Sequence, residues 1–301
     1  MESIIYFAGG CFWGVEHFFK GVDGVLATMP GYANGTIDNP SYEQVYTDTT
    51  GYAETVRVTY NPSRVSLERL VRLFFAIIDP LSLNRQGHDE GTRYRTGVYY
   101  TSPEERPVIE KVFGEVAARV GAPPVVELEP LRSFWSAEER HQDYLDKNSG
   151  GYCHLPLKAF RYLRLYQDVE LMLGDEPDPV ARQAEAAALI AERMHFFWTG
   201  FYRVAGEELV LGPFQGPAAC LRIARGRGVC GTAWQRAATV VVPDVEEFPG
   251  HIACSSLSRS EIVVPLIREG AVTAVLDIDS TELRTFDSTD AIWLEMIAAL
   301  V

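Results

Sequence analysis

The chain has 301 residues, more than one compact core usually spans, so two domains are expected. Its 47% apolar and 23% charged residues are ordinary for a globular protein in water, and a net charge of −14 argues against nucleic-acid or anionic-membrane partners, which require basic surface. There is no basic run leading into an apolar stretch and no long uncharged segment, so neither a signal peptide nor a membrane span is expected, and the location expected is cytoplasmic.

In chain order, Ile4 to Ala8 forms a short apolar run, and Val15, Phe18 and Phe19 follow at helical spacing. The sequence Gly9-Gly10-Cys11-Phe12-Trp13-Gly14 therefore falls at a strand-to-helix turn. Free amides at a helix start favour negative charge, so Cys11 is expected to ionise more readily than an ordinary thiol. A core cysteine packed among aromatics would show the same local pattern. Glu54 to Tyr60 alternates as a half-buried strand that Asn61-Pro62 ends, and Ser66 caps a helix through Phe74 and Ile77. A second helix begins near Ser102-Pro103 with Val108, Val112 and Val116 on one face, and Val125 to Leu128 reads as a strand. Ser136 and Glu139 make a capping box for a third helix ending near Asn148.

Gly174 to Pro179 reads as a linker, and Asp178-Pro179 opens an alanine-rich helix to about Met194. Short strands follow at Trp198 to Val204, Glu208 to Leu211, Thr239 to Val242, Glu261 to Ile267 and Thr273 to Ile278, with a closing helix from Asp287-Ser288. Both halves are expected to be α+β: the first with helices against a sheet, the second an antiparallel sheet with flanking helices. The domains are placed at 1–170 and 180–301, joined by a linker at 171–179.

Five cysteines, at positions 11, 153, 220, 230 and 254, form an odd and sparse set without a Cys-x-x-Cys pair. That argues against a disulfide frame or a zinc ribbon and for reactive thiols, so no bound cofactor or metal is expected. In the first half, Ser41-Tyr42-Glu43, Gly51-Tyr52-Ala53-Glu54 and Gln86-Gly87-His88-Asp89-Glu90-Gly91-Thr92-Arg93-Tyr94-Arg95 supply phenols and carboxyls, and Gly150-Gly151-Tyr152-Cys153-His154 supplies a second thiol. A nucleophilic thiolate, a proton donor and a mobile thiol are what redox sulfur chemistry requires.

By these motifs, in this order and spacing, residues 3 to about 160 resemble the peptide methionine sulfoxide reductases of the A class, specific for the S epimer. The resemblance implies that Cys11 is the nucleophile, that Phe12 and Trp13 hold the substrate methyl, and that Glu54 donates the proton with help from Tyr42, Tyr94 and Asp89. It makes Cys153 the resolving cysteine and thioredoxin the reductant, with oxidised proteins and free methionine sulfoxide as substrates. Tyr52 and His88 stand where histidine and asparagine are frequent in that family, and only one candidate recycling cysteine follows the domain.

The second half carries Gly212-Pro213-Phe214-Gln215-Gly216, Cys220, Gly226-Arg227-Gly228-Val229-Cys230-Gly231, Phe248-Pro249-Gly250-His251-Ile252-Ala253-Cys254 and Ser258-Arg259-Ser260-Glu261. Asp277 and Asp279, at alternate strand positions, share one face, where only a cation or a retained proton relieves their repulsion. From about Phe196 to Leu294 the chain resembles the free methionine-(R)-sulfoxide reductases, which are built on a GAF domain. The resemblance implies that Cys254 is the nucleophile, Cys220 its resolving partner and Cys230 an alternative partner. Trp198 and Tyr202 would cage the methyl group, and Glu261, Asp277 and Asp279 would engage the sulfoxide oxygen and the ammonium group. Only one helix precedes Trp198, where free-standing members carry more. The competing expectation is a GAF module that senses a ligand without chemistry.

Overall fold

The computed structural model describes residues 2–252 and 255–301. The chain divides into two compact units, Met1–Phe160 and Arg161–Val301. Among the described residues no helix is long and apolar enough to cross a membrane.

The first unit runs β1 (Ser3–Gly9), α1 (Phe12–Lys20), β2 (Val25–Ala33), α2 (Tyr42–Tyr46), β3 (Ala53–Tyr60), α3 (Leu67–Phe75), β4 (Arg85–Gln86), β5 (Asp89–Glu90), β6 (Thr96–Tyr100), α4 (Glu105–Val120), β7 (Glu127–Pro130), β8 (Phe134–Ser136) and α5 (Tyr144–Lys147). Its sheet has the order β7-β6-β1-β3-β2-β8, antiparallel except for the β6–β7 pair. Both faces are covered. Phe7 stacks on Phe19 of α1 and Phe74 of α3 at 4.6 and 4.9 Å, while its neighbours Tyr6 and Ala8 pack on the other face with Ala33, Ala53 and Tyr99. This explains why β3 is buried on both faces rather than half-buried as its alternation suggests: it lies between β1 and β2 in mid-sheet.

The expected third helix is absent, and Phe134–Ser136 is a strand instead. The 3₁₀ turn Glu139–His141 and the short α5 follow it, and Asp143 between them sits at φ +55°. Polar groups that would close a helix are engaged elsewhere. Ala137 N–H donates to Pro30 O, the Gln142 amide donates to Pro30 O and Ala137 O, and Glu138 accepts from Tyr32 and Tyr42. In α4 the buried face is Ile109, Val112 and Val116, one position away from the expected Val108.

α6 (Leu157–Leu173) was not evident in the sequence; its residues from Arg161 onward belong to the second unit. There Tyr162 stacks on Trp293 and donates to Asp290 Oδ1 at 2.8 Å, and Tyr166 meets Trp293 edge-on. Two helices of the described residues, α6 from Arg161 onward and one beginning at Pro179, thus precede Trp198 in the second unit. The second unit continues with α7 (Pro179–Met194), β9 (Trp198–Ala205), β10 (Glu208–Gln215), β11 (Arg222–Ala224), α8 (Gly228–Arg236), β12 (Val240–Val242), β13 (Ser260–Arg268), β14 (Ala271–Ser280) and α9 (Ser288–Leu300). Asp178 caps α7 through Val180 N and Ala181 N, with Pro179 at its first position. The sheet is antiparallel, in the order β11-β10-β9-β14-β13-β12.

Candidate active sites

In the first unit, Cys11 is the N-cap of α1 and is only 5% exposed. Gly10 before it has φ +84°, and a Cβ there would come 2.7 Å from Gln86 Cβ, so only glycine fits the turn. Gly10→Ala is therefore expected to destabilise this unit by about 1–3 kcal/mol, read as a lower denaturant midpoint.

Glu54 shares its face of β3 with Val56 and Val58, the side that α1 covers. It is 2% exposed, and its Oε2 accepts the Phe12 N–H at 3.1 Å. Burial pushes its carboxyl up to about 8, against the pull of the Phe12 amide and Arg93. Burial, with negative charge at Glu54 and Asp89, also pushes the Cys11 thiol well up, outweighing the Trp13 N–H that bonds the sulfur. The expected ready ionisation of Cys11 is thus not found: one helix-terminal amide does not offset desolvation beside two carboxyls. The resting pair is a neutral thiol and a neutral acid.

Around this pair the hydroxyls are held protonated. Tyr42, the first residue of α2, is pushed up to about 12 by burial and by Glu54. Tyr94 closes the 3₁₀ turn Thr92–Tyr94 and is raised by the same causes. The Arg93 guanidinium lies 4.4 Å over the Tyr94 ring and is anchored to Asp48 Oδ2 at 2.5 Å. Asp89 sits on the β4–β5 hairpin, which Gln86 fastens by accepting from Asp79 N and donating to Asp79 O. Asp89 Oδ2 is buried without a hydrogen-bond partner, and the Tyr152 hydroxyl bonds the same carboxylate.

Phe12 is 1% exposed, and its ring lies 6.3 Å from Trp13, 6.0 Å from Tyr32 and 5.4 Å from His141. Trp13 stacks on Tyr144 at 3.7 Å and on His141 at 5.7 Å. The aromatic wall is therefore larger than Phe12 and Trp13 alone. Glu138, His141 and Tyr144 carried no sequence signal beyond aromatic or acidic character, because they reach the site through the irregular segment that replaces the expected helix. Tyr52 packs into the space left by Gly35 and donates to Ile37 O at 2.5 Å, a structural task. Cys153 is a half-buried free thiol raised by burial; a Cβ on Gly14, one turn along α1 from Cys11, would come 3.1 Å from its sulfur.

In the second unit the ladder builds the site. Asp279 pairs with Glu261 on β13 and with Trp198 on β9; Asp277 pairs with Val263 and Gly200; Val275 pairs with Tyr202. All three acids and both rings therefore share one sheet face, under α8. Trp198 stacks on Tyr202 at 6.0 Å and on Phe214 at 5.5 Å. Gly200 permits this, since a Cβ there would come 2.5 Å from the Trp198 ring. Trp198 Nε1 donates to Pro217 O, and Tyr202 Oη to Cys220 O.

Three buried carboxyls cannot all ionise. Burial pushes Glu261 and Asp277 well up, with Asp277 and Asp279 adding to the rise at Glu261 and Asp279 to that at Asp277, whose hydrogen bonds with Cys230 and Glu261 pull the other way; Asp279 rises to about 6 by burial, moderated by its bond with Ser258. Asp277 stands in hydrogen-bonding reach of the Glu261 carboxyl and the Cys230 thiol, while its Oδ1 is buried without a partner. His251 Nε2 lies 3.8 Å from Glu261 Oε2 at the cavity wall. Cys230 is a free, fully enclosed thiol on α8, whereas Cys220 is disulfide-bonded. Cys254 lies outside the described residues.

The sequence model of the family described as "Peptide methionine sulfoxide reductase" matches residues 3–169, and that of "GAF domain" matches residues 181–301. The peptide methionine sulfoxide reductase MsrA of Clostridium acetobutylicum is 52% identical over 161 residues, covering 54% of this chain and 99% of that protein. Among solved structures, the free methionine-R-sulfoxide reductase of Neisseria meningitidis, in complex with its substrate, is 53% identical, covering 46% of this chain and 84% of its own, with a TM-score of 0.46. A putative GAF sensor protein from Burkholderia vietnamiensis is 45% identical, covering 48% of this chain and 93% of its own, at a TM-score of 0.47. With its first half matched throughout and a different domain behind it, the chain belongs to the peptide methionine sulfoxide reductase family of oxidoreductases and carries a fused GAF domain.

Proposed function

We propose that the chain is a bifunctional methionine sulfoxide reductase: the first unit acts on the S epimer, peptide-bound or free, and the second on free methionine-(R)-sulfoxide. The observation that carries the first assignment is the buried Glu54 carboxyl, hydrogen-bonded by the residue that follows the buried Cys11 thiol; its burial pushes it up to about 8. The sulfoxide oxygen leaves poorly unless protonated, so attack must be coupled to proton delivery. Glu54 hands its proton to the sulfoxide oxygen as the Cys11 sulfur attacks the sulfoxide sulfur, and the thiol proton replaces it. Tyr42 and Tyr94 donate hydrogen bonds to the same oxygen. The S–O bond breaks as a second proton from Glu54 lets the oxygen leave as water; water then adds to the Cys11 sulfur and returns a proton to Glu54, the bond between the two sulfurs breaks to release methionine, and Cys11 holds a sulfenic acid. Cys153 then displaces water to form a disulfide, which an external dithiol, thioredoxin, reduces.

In the second unit, Cys254 is assigned as nucleophile and Cys220 as its resolving partner, a reading supported by the disulfide at Cys220 and the enclosed position of Cys230. Trp198 and Tyr202 receive the methyl group, and Asp277 and Asp279 the ammonium. Glu261, which keeps its proton, faces the sulfoxide oxygen.

The test gives wild type, Cys11→Ser and Cys254→Ser separate S and R epimers of free and N-blocked methionine sulfoxide, with dithiothreitol as reductant. Cys11→Ser should lose S-epimer reduction, and Cys254→Ser only that of the free R epimer. If no form touches the R epimer, the second unit is a binding module instead.

A further inference from the structure

His154 follows Cys153 and takes no part in the chemistry above, yet its ring is fitted closely against the Cys11 turn. Its Nε2 lies 3.0 Å from Gly9 O. A carbonyl only accepts, so Nε2 carries the hydrogen and Nδ1 presents a lone pair. That Nδ1 is buried and has no hydrogen-bond partner. A ring nitrogen of His154, Cys11 Sγ and an Asp89 carboxylate oxygen all lie within 4.8 Å of one another. Two glycines leave room for the ring: a Cβ on Gly10 would come 3.2 Å from Nε2, and one on Gly14 would come 3.2 Å from Nδ1. The Gly14 position is shared, since the same Cβ would come 3.1 Å from Cys153 Sγ. His154 Nδ1 and the second thiol therefore both border one point above α1, one turn from Cys11.

Forming the disulfide needs a base. The sulfenic acid of Cys11 and the thiol of Cys153 give a disulfide and one water, so the thiol proton must leave sulfur and reach the departing oxygen. Burial holds the Cys153 proton on more firmly than usual and keeps His154 neutral, despite the pull of Asp89. We propose that His154 Nδ1 takes the thiol proton as Cys153 attacks the Cys11 sulfur and passes it to the hydroxyl that leaves as water. The S–S bond forms, the S–O bond breaks, and the imidazole ends neutral. Among the described residues, the titratable groups beside the ring are Asp89, Cys11 and Cys153. Asp89 is suited to steady the transient imidazolium. This proposal rests on the pairing of Cys11 with Cys153 under Proposed function.

The test is single turnover of the full chain with N-blocked methionine-(S)-sulfoxide and no reductant. Sulfide release and disulfide formation are followed separately by acid quench, with peptide mapping of the bond. In His154→Gln the side-chain amide still donates to Gly9 O but supplies no base. Sulfide release should stay within about twofold of wild type while disulfide formation slows about 10²-fold. In His154→Ala, added imidazole should restore disulfide formation without changing sulfide release. Disulfide formation at the wild-type rate in His154→Gln would overturn the proposal. So would an equal slowing of both steps that imidazole leaves unrestored, which is the signature of a merely structural ring. If wild type itself forms no Cys11–Cys153 bond, the underlying pairing fails instead.

Discussion

Glu54→Gln is expected to slow methionine release from S-sulfoxides by about 10²–10³-fold while leaving reduction of a preformed disulfide unchanged. The glutamine oxygen can still accept the Phe12 N–H, so the turn is kept and only the proton is lost. In wild type the rate of the first step should fall as pH rises through about 8, where the carboxyl ionises. The substitution should abolish that fall. The same shift acts on stability with a determined sign. The folded carboxyl holds its proton to a higher pH than the unfolded one, whose value is near 4.5. Glu54 therefore favours folding least at alkaline pH, its contribution being lost between about 4.5 and about 8. Denaturant titrations of wild type should lose stability across that window relative to Glu54→Gln, by a few kcal/mol at the alkaline end. Equal pH–rate profiles in single turnover would remove Glu54 as the donor.

Asp277→Asn is expected to lower kcat/KM for free methionine-(R)-sulfoxide by about 10²–10³-fold, mainly through KM, with S-epimer reduction untouched. Asp277 is the point at which the acidic row is satisfied from two sides, by the Glu261 carboxyl and the Cys230 thiol, while one oxygen is left buried and unpartnered. An incoming ammonium would complete it. Truncating one partner of a buried charged hydrogen bond costs about 2–5 kcal/mol, which sets the size of the effect. If instead kcat falls with KM unchanged, Asp277 acts on the reacting sulfoxide rather than on the ammonium, and Asp279 inherits the binding task. Initial rates on purified protein with the separated epimers decide between these.

Much of the architecture is legible where a pattern is local. The strand-to-helix turn at Cys11, the cap and proline that open α7, and the strands from Trp198 to Ile278 follow from periodicity and from residues whose backbone preferences act within a few positions. The irregular stretch from Ser136 to Lys147 does not, because Glu138 and Gln142 bond to β2 and α2 across about a hundred residues of chain. A capping-box pattern there competes with partners that no local window contains. α6 was missed for the same reason: the contacts of Tyr162 and Tyr166 with Trp293, and the bond to Asp290, lie far along the chain.

The sequence by itself determined which chemistry-bearing residues exist and on which strand faces they stand. Alternation puts Glu54 with Val56 and Val58, and Asp277 with Asp279. Only the tertiary structure decided how those groups are charged, because ionisation depends on solvent and on neighbours from other elements. Cys11 at a helix N-terminus reads as an acidic thiol until β3 and the β4–β5 hairpin bring Glu54 and Asp89 beside it and remove the water. Asp277 and Asp279 on one strand face call for a cation or a retained proton, and only the ladder that sets Glu261 beside them under α8 raises all three carboxyls together. Desolvation and convergence are properties of the folded chain, and they turn the residues the sequence supplies into an acid, a thiol and a receptor for charge.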